Sequence, residues 1–264
     1  MCTIVVLRGV RADYPLVIAT NRDEFYARSA SGAVRLLDQP ATVGGRDLVK
    51  GGTWMGVTRD GLFVGVTNQR TLVPPDPTKR SRGELVLEAL RLGTAAAVTD
   101  MLLRLDASAY NAFNLMWGDA QALFVGYARD ERPTLEIEPV PEGVHVLPND
   151  RLDDAESPKV ARARALLAPY LEADFAALEA ALKRTLADRV RPELGALPDW
   201  PLPAHMSRDF LRELSALCIR TPLYGTRSST LVALTPGGVG RYLYADGPPD
   251  QTELVDVTRL FSGT

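Results

Sequence analysis

Two cysteines occur in the 264-residue chain, and one of them stands where thiol chemistry is easiest to arrange. Cys2 follows the initiator directly. Aminopeptidases generally remove methionine ahead of a small side chain, so removal of Met1 is expected to leave a thiol and a free α-amine on one residue. An α-amine titrates near ~7.7 to 8.0 and a thiol near ~8.5, so the amine can take the thiol proton close to neutral pH. N-terminal threonine nucleophiles are activated by their own amine in this way, and the same logic serves cysteine. The alternative is a cysteine that merely opens a buried strand as a small hydrophobe.

A polar tetrapeptide, Asn21-Arg22-Asp23-Glu24, follows the apolar run Leu16 to Thr20. If that run pairs as a hairpin with Thr3 to Leu7, antiparallel register puts Cys2 beside the tetrapeptide. An Asp23 carboxylate would then hold the α-amine, and Arg22 would stabilise a thiolate and lower its pKa. Four polar residues at a strand end also read as a turn, with Asn and Asp satisfying local backbone groups. Glu24 reads equally as an acid of the site or as a partner for an arginine. Trp54 and Met55, flanked by glycines, read as core packing or as the wall of a flat apolar pocket.

Other chemistries are thinly provided for. Two cysteines make neither a disulfide framework nor a thiolate metal cage, and two histidines, His145 and His205, are too few for a histidine-rich metal site. Cys218 follows the apolar helical stretch Phe210, Leu211, Leu214 and Leu217 and reads as a buried, inert thiol. There is no phosphate-binding Gly-x-x-x-x-Gly-Lys, no Gly-x-Gly-x-x-Gly, no Gly-x-Ser-x-Gly and no His-Glu-x-x-His. A net charge of -3, with single basic residues scattered among acids, gives no electrostatic footprint for nucleic acid. No apolar run approaches the ~18 to 20 residues of a membrane span, and the first residues lack the basic flank and apolar stretch of a secretory signal. A cytoplasmic location is the expectation.

The elements that must position Cys2 and the tetrapeptide alternate in blocks. Strands are expected at Thr3–Leu7, Leu16–Thr20, Thr53–Thr58 and Leu62–Thr67, the last two joined through Arg59-Asp60-Gly61 as a hairpin. Ser81-Arg82-Gly83-Glu84 has the form of a capping box ahead of a helix over Leu85–Leu92, and a second helix is expected over Ala95–Leu105. Strands return at Phe113–Trp117, Ala122–Tyr127, Leu135–Ile137 and Val144–Leu147, where Tyr110, Phe113 and Trp117 read as core. Ser157-Pro158 opens a helix to about Leu167, Asp174 caps the next, and a third follows Ser207. Strands at Ser228–Leu234, Gly240–Tyr244 and Leu254–Val257 close the chain. This order predicts an α+β domain spanning residues 1–264, with antiparallel sheets and helices on their outer faces. The proline-rich stretch 191–207 reads as a connection or as a cover over a site.

The opening Met-Cys and the segment Ala19-Thr20-Asn21-Arg22-Asp23-Glu24-Phe25-Tyr26-Ala27-Arg28 resemble the NRDE family, which takes its name from the tetrapeptide. Further matches follow in order: Gly51-Gly52-Thr53-Trp54-Met55-Gly56-Val57, Thr67-Asn68, Tyr110-Asn111-Ala112-Phe113-Asn114-Leu115 and Tyr224-Gly225-Thr226-Arg227-Ser228-Ser229-Thr230. The family includes eukaryotic transport and Golgi organisation proteins implicated in haem trafficking. It is in turn similar to cysteine N-terminal-nucleophile hydrolases such as choloylglycine hydrolases and penicillin V acylases. The resemblance implies a four-layer αββα sandwich. It implies Cys2 as nucleophile, Asp23 as the carboxylate near its amine, and Asn68 and Asn149 as polar groups around the reacting carbonyl. It further implies Arg227 as the cation near the nucleophile, with Asn21, Arg22, Glu24 and Trp54 supporting the site or contacting substrate. One departure is visible: where the acylases carry an arginine ahead of the Asn-x-Asp stretch, this chain has Thr20, and Arg22 lies inside the stretch.

Two functions follow as expectations. The first is a hydrolase or acyltransferase that cleaves an amide or related acyl bond of a small molecule through a Cys2 acyl-enzyme, with no cofactor required and no metal. The second is a binding protein that holds haem in the same pocket, with Cys2, His145 or His205 as ligand.

Overall fold

The computed structural model describes residues 2–129, 132–204 and 206–262. His205 therefore lies outside the described residues. Six strands open the chain: β1 (Cys2–Arg8), β2 (Leu16–Phe25), β3 (Ala30–Leu37), β4 (Thr42–Asp47), β5 (Met55–Thr58) and β6 (Phe63–Asn68). Helices α1 (Arg82–Arg91) and α2 (Ala95–Leu102) lead to β7 (Phe113–Gly118), β8 (Leu123–Ala128), β9 (Glu136–Pro139) and β10 (Gly143–Leu147). Helices α3 (Pro158–Leu167), α4 (Phe175–Leu186) and α5 (Arg208–Leu214) precede β11 (Tyr224–Thr235), β12 (Gly238–Ala245) and β13 (Val255–Asp256).

The strands form two antiparallel sheets, ordered β10-β1-β2-β11-β12-β13 and β3-β4-β5-β6-β7-β8-β9. Side chains alternate across a strand, so each sheet offers two apolar faces where both sets are hydrophobic. In β1, Ile4 and Val6 point between the sheets, where they pack with Ile18 and with Met55, Phe63 and Met116 of the other sheet. Val5 and Leu7 point the opposite way, onto Val160 and Leu167 of α3 and Leu178 and Leu182 of α4. The outer face of the second sheet carries Val64, Leu115 and Trp117 against Leu85, Leu90, Val98 and Leu102 of α1 and α2. The layers are thus helix, sheet, sheet, helix. Fully burying one such side chain is worth about 1.5–3 kcal/mol, which anchors β1 as a central strand with its first residue at the sheet end.

Two local expectations are corrected, and two strands lie where none is expected. Asn21-Arg22-Asp23-Glu24 is not a turn: β2 runs on to Phe25 because β1 and β11 flank it, pairing Cys2 with Arg22 on one side and Thr226 with Asp23 on the other. Ser81 forms no capping box; its side chain makes no cap hydrogen bond, and α1 starts at Arg82 with the Ser81 carbonyl accepting from the Glu84 and Leu85 N–H groups. Strands β3 and β4 escape a reading by alternation because Gly32, Gly44 and Gly45 interrupt it, and a Cβ on Gly45 would run into the Trp54 ring at 2.1 Å. By contrast, Asp174 caps α4 through the Ala177 N–H at 2.8 Å, and Gly61 turns the β5–β6 hairpin with φ at +98°.

Candidate active site

Cys2 and Arg22 are directly opposed across the β1–β2 pair, so their side chains leave the sheet on the same face. That face looks toward the second sheet, and there the Arg22 guanidinium lies 4.3 Å above the Trp54 ring. Both residues line a cleft of about 330 Å³, with Asp23, Glu24 and Asn68 also on its walls. Its far side comes from the start of α1, where Ser81, Arg82 and Gly83 face it. Glycine makes that approach possible. A Cβ on Gly52 would lie 2.4 Å from the Gly83 carbonyl carbon, and the Thr53 N–H donates to the Gly83 carbonyl at 3.1 Å.

Asp23 is almost fully buried, and its carboxylate is held from two sides. Thr226 of β11 donates its hydroxyl to Oδ1 at 2.7 Å. Lys159, itself buried in the first turn of α3, brings Nζ to 3.6 Å from Oδ2 and donates to the Thr3 hydroxyl at 3.2 Å. Burial raises the Asp23 pKa above the ordinary carboxylate value, and the positive charge of Lys159 works against that rise. The Cys2 thiol is also pushed up, chiefly by burial and further by the Asp23 charge; the chain's amino terminus, the Asp23 main-chain N–H and Arg22 pull it down. With Met1 in place, the desolvation of the sulfur thus outweighs the positive charges around it.

The remaining expected residues divide. Asn68 ends β6 with its side chain exposed at the cleft, and its carbonyl accepts from Asn149 Nδ2 at 2.7 Å. Asn149 itself is buried behind Asn68, beside Lys159 in a second cavity of about 50 Å³. Glu24 lies 3.8 Å from Arg28, which also pairs with Asp47, so the arginine-partner reading fits its position. Asn21 faces the helix layer instead: its Nδ2 donates to the carbonyls of Leu186 and Leu217 at 2.8 and 2.9 Å, and its Oδ1 accepts from Ser229.

Arg227 is not among the cleft residues. It sits at an irregularity in the β11–β2 register, where its guanidinium donates to the Phe25 and Tyr26 carbonyls. Of the six basic side chains that do line the cleft, Arg22 and Arg82 are the two coupled to the sulfur: the Arg22 charge pulls the Cys2 pKa down, and the Cys2 charge acts on Arg82. Two site residues, Arg82 and Lys159, were missed by sequence reasoning. In the sequence Arg82 stands out only as part of a helix start. Lys159 carried a usable signal, because a cation in a first helical turn opposes the helix dipole and needs a reason to be there.

Among the described residues, the other thiol and the one imidazole are engaged elsewhere. Cys218 is buried, donates to Asp250 at 3.5 Å, and has a pKa pushed up to about 12 by burial. His145 is buried away from the cleft, with Nδ1 2.7 Å from Asp153 and Nε2 3.0 Å from the Pro141 carbonyl. Among the described residues no group of three or more His, Cys, Asp or Glu side chains is placed to hold a metal ion, and no helix is long and apolar enough to cross a membrane.

The family model described as Transport and Golgi organisation 2 matches residues 1–243. The chain belongs to that family. The Transport and Golgi organization protein 2 homolog of Homo sapiens is 29% identical over 239 residues, covering 85% of this chain and 84% of the relative. The Bos taurus homolog is 30% identical over 240 residues, with the same coverage of 85% and 84%. Among solved structures, the family member resembles the C2A mutant of a conjugated bile acid hydrolase from Clostridium perfringens, with TM-score 0.59 and 13% identity over 100% of this chain and 95% of that one. It also resembles a Caenorhabditis elegans ortholog of N-acylethanolamine-hydrolyzing acid amidase, with TM-score 0.54 and 12% identity over 90% and 93% of the two chains. These likenesses establish the fold of the N-terminal-nucleophile hydrolases for this member of the Transport and Golgi organisation 2 family.

Proposed function

We propose that the protein is a cysteine N-terminal-nucleophile hydrolase or acyltransferase acting on an amide or related acyl bond, with Cys2 as nucleophile after removal of Met1. The observation that carries this reading is the Cys2 thiol at the head of central strand β1, opening into a cleft with Arg22, Asp23, Asn68 and Arg82. The Cys2 sulfur attacks the substrate carbonyl carbon while the thiol proton passes to the freed α-amine. Asn68 donates its side-chain amide to the oxygen that becomes negative. The α-amine returns the proton to the leaving nitrogen, the carbon–nitrogen bond breaks, and a thioester remains on Cys2. Water, deprotonated by the same amine, releases the acid and regenerates the thiol; another nucleophile in its place gives acyl transfer. Asp23, neutralised by Lys159, accepts from the amine without adding a net charge that would keep it protonated.

The haem reading draws little from this site. A porphyrin face wants an apolar slot and a strong axial donor. Six basic and four acidic side chains line this cleft, and His145 has both ring nitrogens engaged.

Intact-mass measurement and iodoacetamide labelling test the proposal together. The expected protein lacks Met1 and is alkylated at Cys2 in preference to Cys218, whose pKa is pushed up to about 12, at a rate that climbs with pH as the thiolate forms. Hydrolysis of at least one member of a panel of acyl amides and thioesters is expected, and is lost in Cys2→Ala. Retained Met1 with Cys218 as the reactive thiol would overturn the proposal. Saturable haem binding sensitive to Cys2→Ala, with no hydrolysis, would put the binding reading in its place.

A further inference from the structure

Charges in the cleft are unevenly matched. Each acid has a partner: Asp23 has Lys159 and Thr226, Glu24 and Asp47 share Arg28, and Asp76 accepts from Thr78. Arg22 has no such match. It is only 5% exposed, yet among the described residues its guanidinium makes no hydrogen bond or ion pair, and it lies over the Trp54 ring at 4.3 Å. Stacking occupies the face of a guanidinium and leaves the in-plane N–H donors pointing outward, in the fork that suits a carboxylate or phosphate. Arg82, across the cleft, spends one nitrogen on the Ala112 carbonyl at 3.1 Å and makes no ion pair among the described residues. The start of α1 faces the same space without a side-chain cap, adding the positive end of a ten-residue helix. A buried cation without a counter-ion is costly, and a ligand anion is the partner this arrangement lacks.

We propose that the substrate carries an anionic group (carboxylate, sulfonate or phosphate) close to its scissile bond, and that Arg22 and Arg82 at the uncapped start of α1 receive it beside the Cys2 sulfur. This rests on the reading of Cys2 as nucleophile for its place in a reaction, although the anion site itself does not. The competing account is that both arginines serve the thiolate alone. The two differ in what they do to reagents of different charge: an arginine that acts on sulfur affects every electrophile alike, whereas an anion site favours the charged one.

The experiment compares iodoacetate with iodoacetamide as alkylating agents for Cys2 in the parent, Arg22→Gln, Arg82→Gln and Arg82→Lys, with melting temperatures as a check on folding. Iodoacetate is expected to show saturation kinetics in the parent. The ratio of iodoacetate to iodoacetamide rates should fall about tenfold or more in each Gln variant and recover in part with Lys, as loss of a charge-assisted contact implies. An unchanged ratio, with both reagents slowed together, overturns the anion site and leaves the nucleophile standing. A second arm uses Cys2→Ala, where alkylation plays no part, titrated calorimetrically with N-hexanoylglycine and its uncharged amide. Preference for the acid, lost on adding Arg22→Gln, supports the anion site even if Cys2 proves unreactive. Equal binding of the pair, or none of either, removes it.

Discussion

Asn68 holds its side chain at the open side of the cleft while Asn149 clamps its carbonyl from behind. Its amide is therefore free to act on a substrate, and its backbone does not depend on it. Asn68→Ala is expected to lower turnover by ~10²- to 10³-fold, about 3 to 4 kcal/mol, with KM little changed. A melting temperature close to the parent's, measured alongside the kinetics, separates this from loss of fold. Arg227 points to the opposite outcome. Its hydrogen bonds tie β11 to the Phe25 and Tyr26 carbonyls outside the cleft. Arg227→Ala should therefore leave the Cys2 labelling rate within about twofold of the parent and cost about 1 kcal/mol of stability, the scale of a partly exposed hydrogen bond. A tenfold fall in labelling without unfolding would restore Arg227 to the site.

At the scale of elements, the site depends on how closely α1 approaches the link between β4 and β5. Gly52 and Gly83 set that approach, since any Cβ on Gly52 would run into the main chain of α1 rather than into a side chain that can swing away. Gly52→Ala should cost about 1–3 kcal/mol as overpacking does, and should move Arg82 away from the sulfur. Denaturant unfolding reads the first effect, and a slower reaction of Cys2 with iodoacetate the second. Gly51 next to it makes a useful control only for space: nothing lies within 4 Å of its added Cβ, but its φ of +74° disfavours any other residue. The hairpin between β1 and β2 is the other decisive element. It sets Cys2 against Arg22 by register, and a slip of β1 by one residue would turn Cys2 to the helix face, away from Arg22.

At the scale of the molecule, Lys159 and Asp23 join the α3 layer to the sheet through a buried ion pair. Removing one partner of such a pair typically costs about 3–5 kcal/mol, so Lys159→Met should lower the melting temperature by about 6 to 20 °C in a chain of this size. Adding Asp23→Asn should recover part of the loss. The pH dependence has a definite sign. Burial raises the folded-state pKa of Asp23, so its contribution is most favourable on the acid side and is lost as pH rises from the ordinary carboxylate value toward the raised one. Without Lys159 the folded value rises further, and the gap between variant and parent should widen as pH rises above the ordinary carboxylate range. A gap that narrows as pH rises would mean that Asp23 is not the group left unpaired.

Local pattern in the sequence determined the block order of strands and helices, the Asp174 cap, the Gly61 hairpin, the aromatic core of Tyr110, Phe113 and Trp117, and the meeting of Cys2 with the Asn21–Glu24 stretch. Each of these rests on alternation, spacing or a turn residue, signals carried by neighbours in the chain. Long-range packing decided the rest. Whether Asn21-Arg22-Asp23-Glu24 is turn or strand depended on β11, some 200 residues away, arriving to pair its second edge. Which arginine stands beside the sulfur depended on two glycines letting α1 close on the β4–β5 link, and a bulge turning Arg227 aside. Even the direction of the Cys2 pKa was a tertiary property. A residue type fixes the charge that a group can carry, but only the assembled layers fix how much water is left to solvate it.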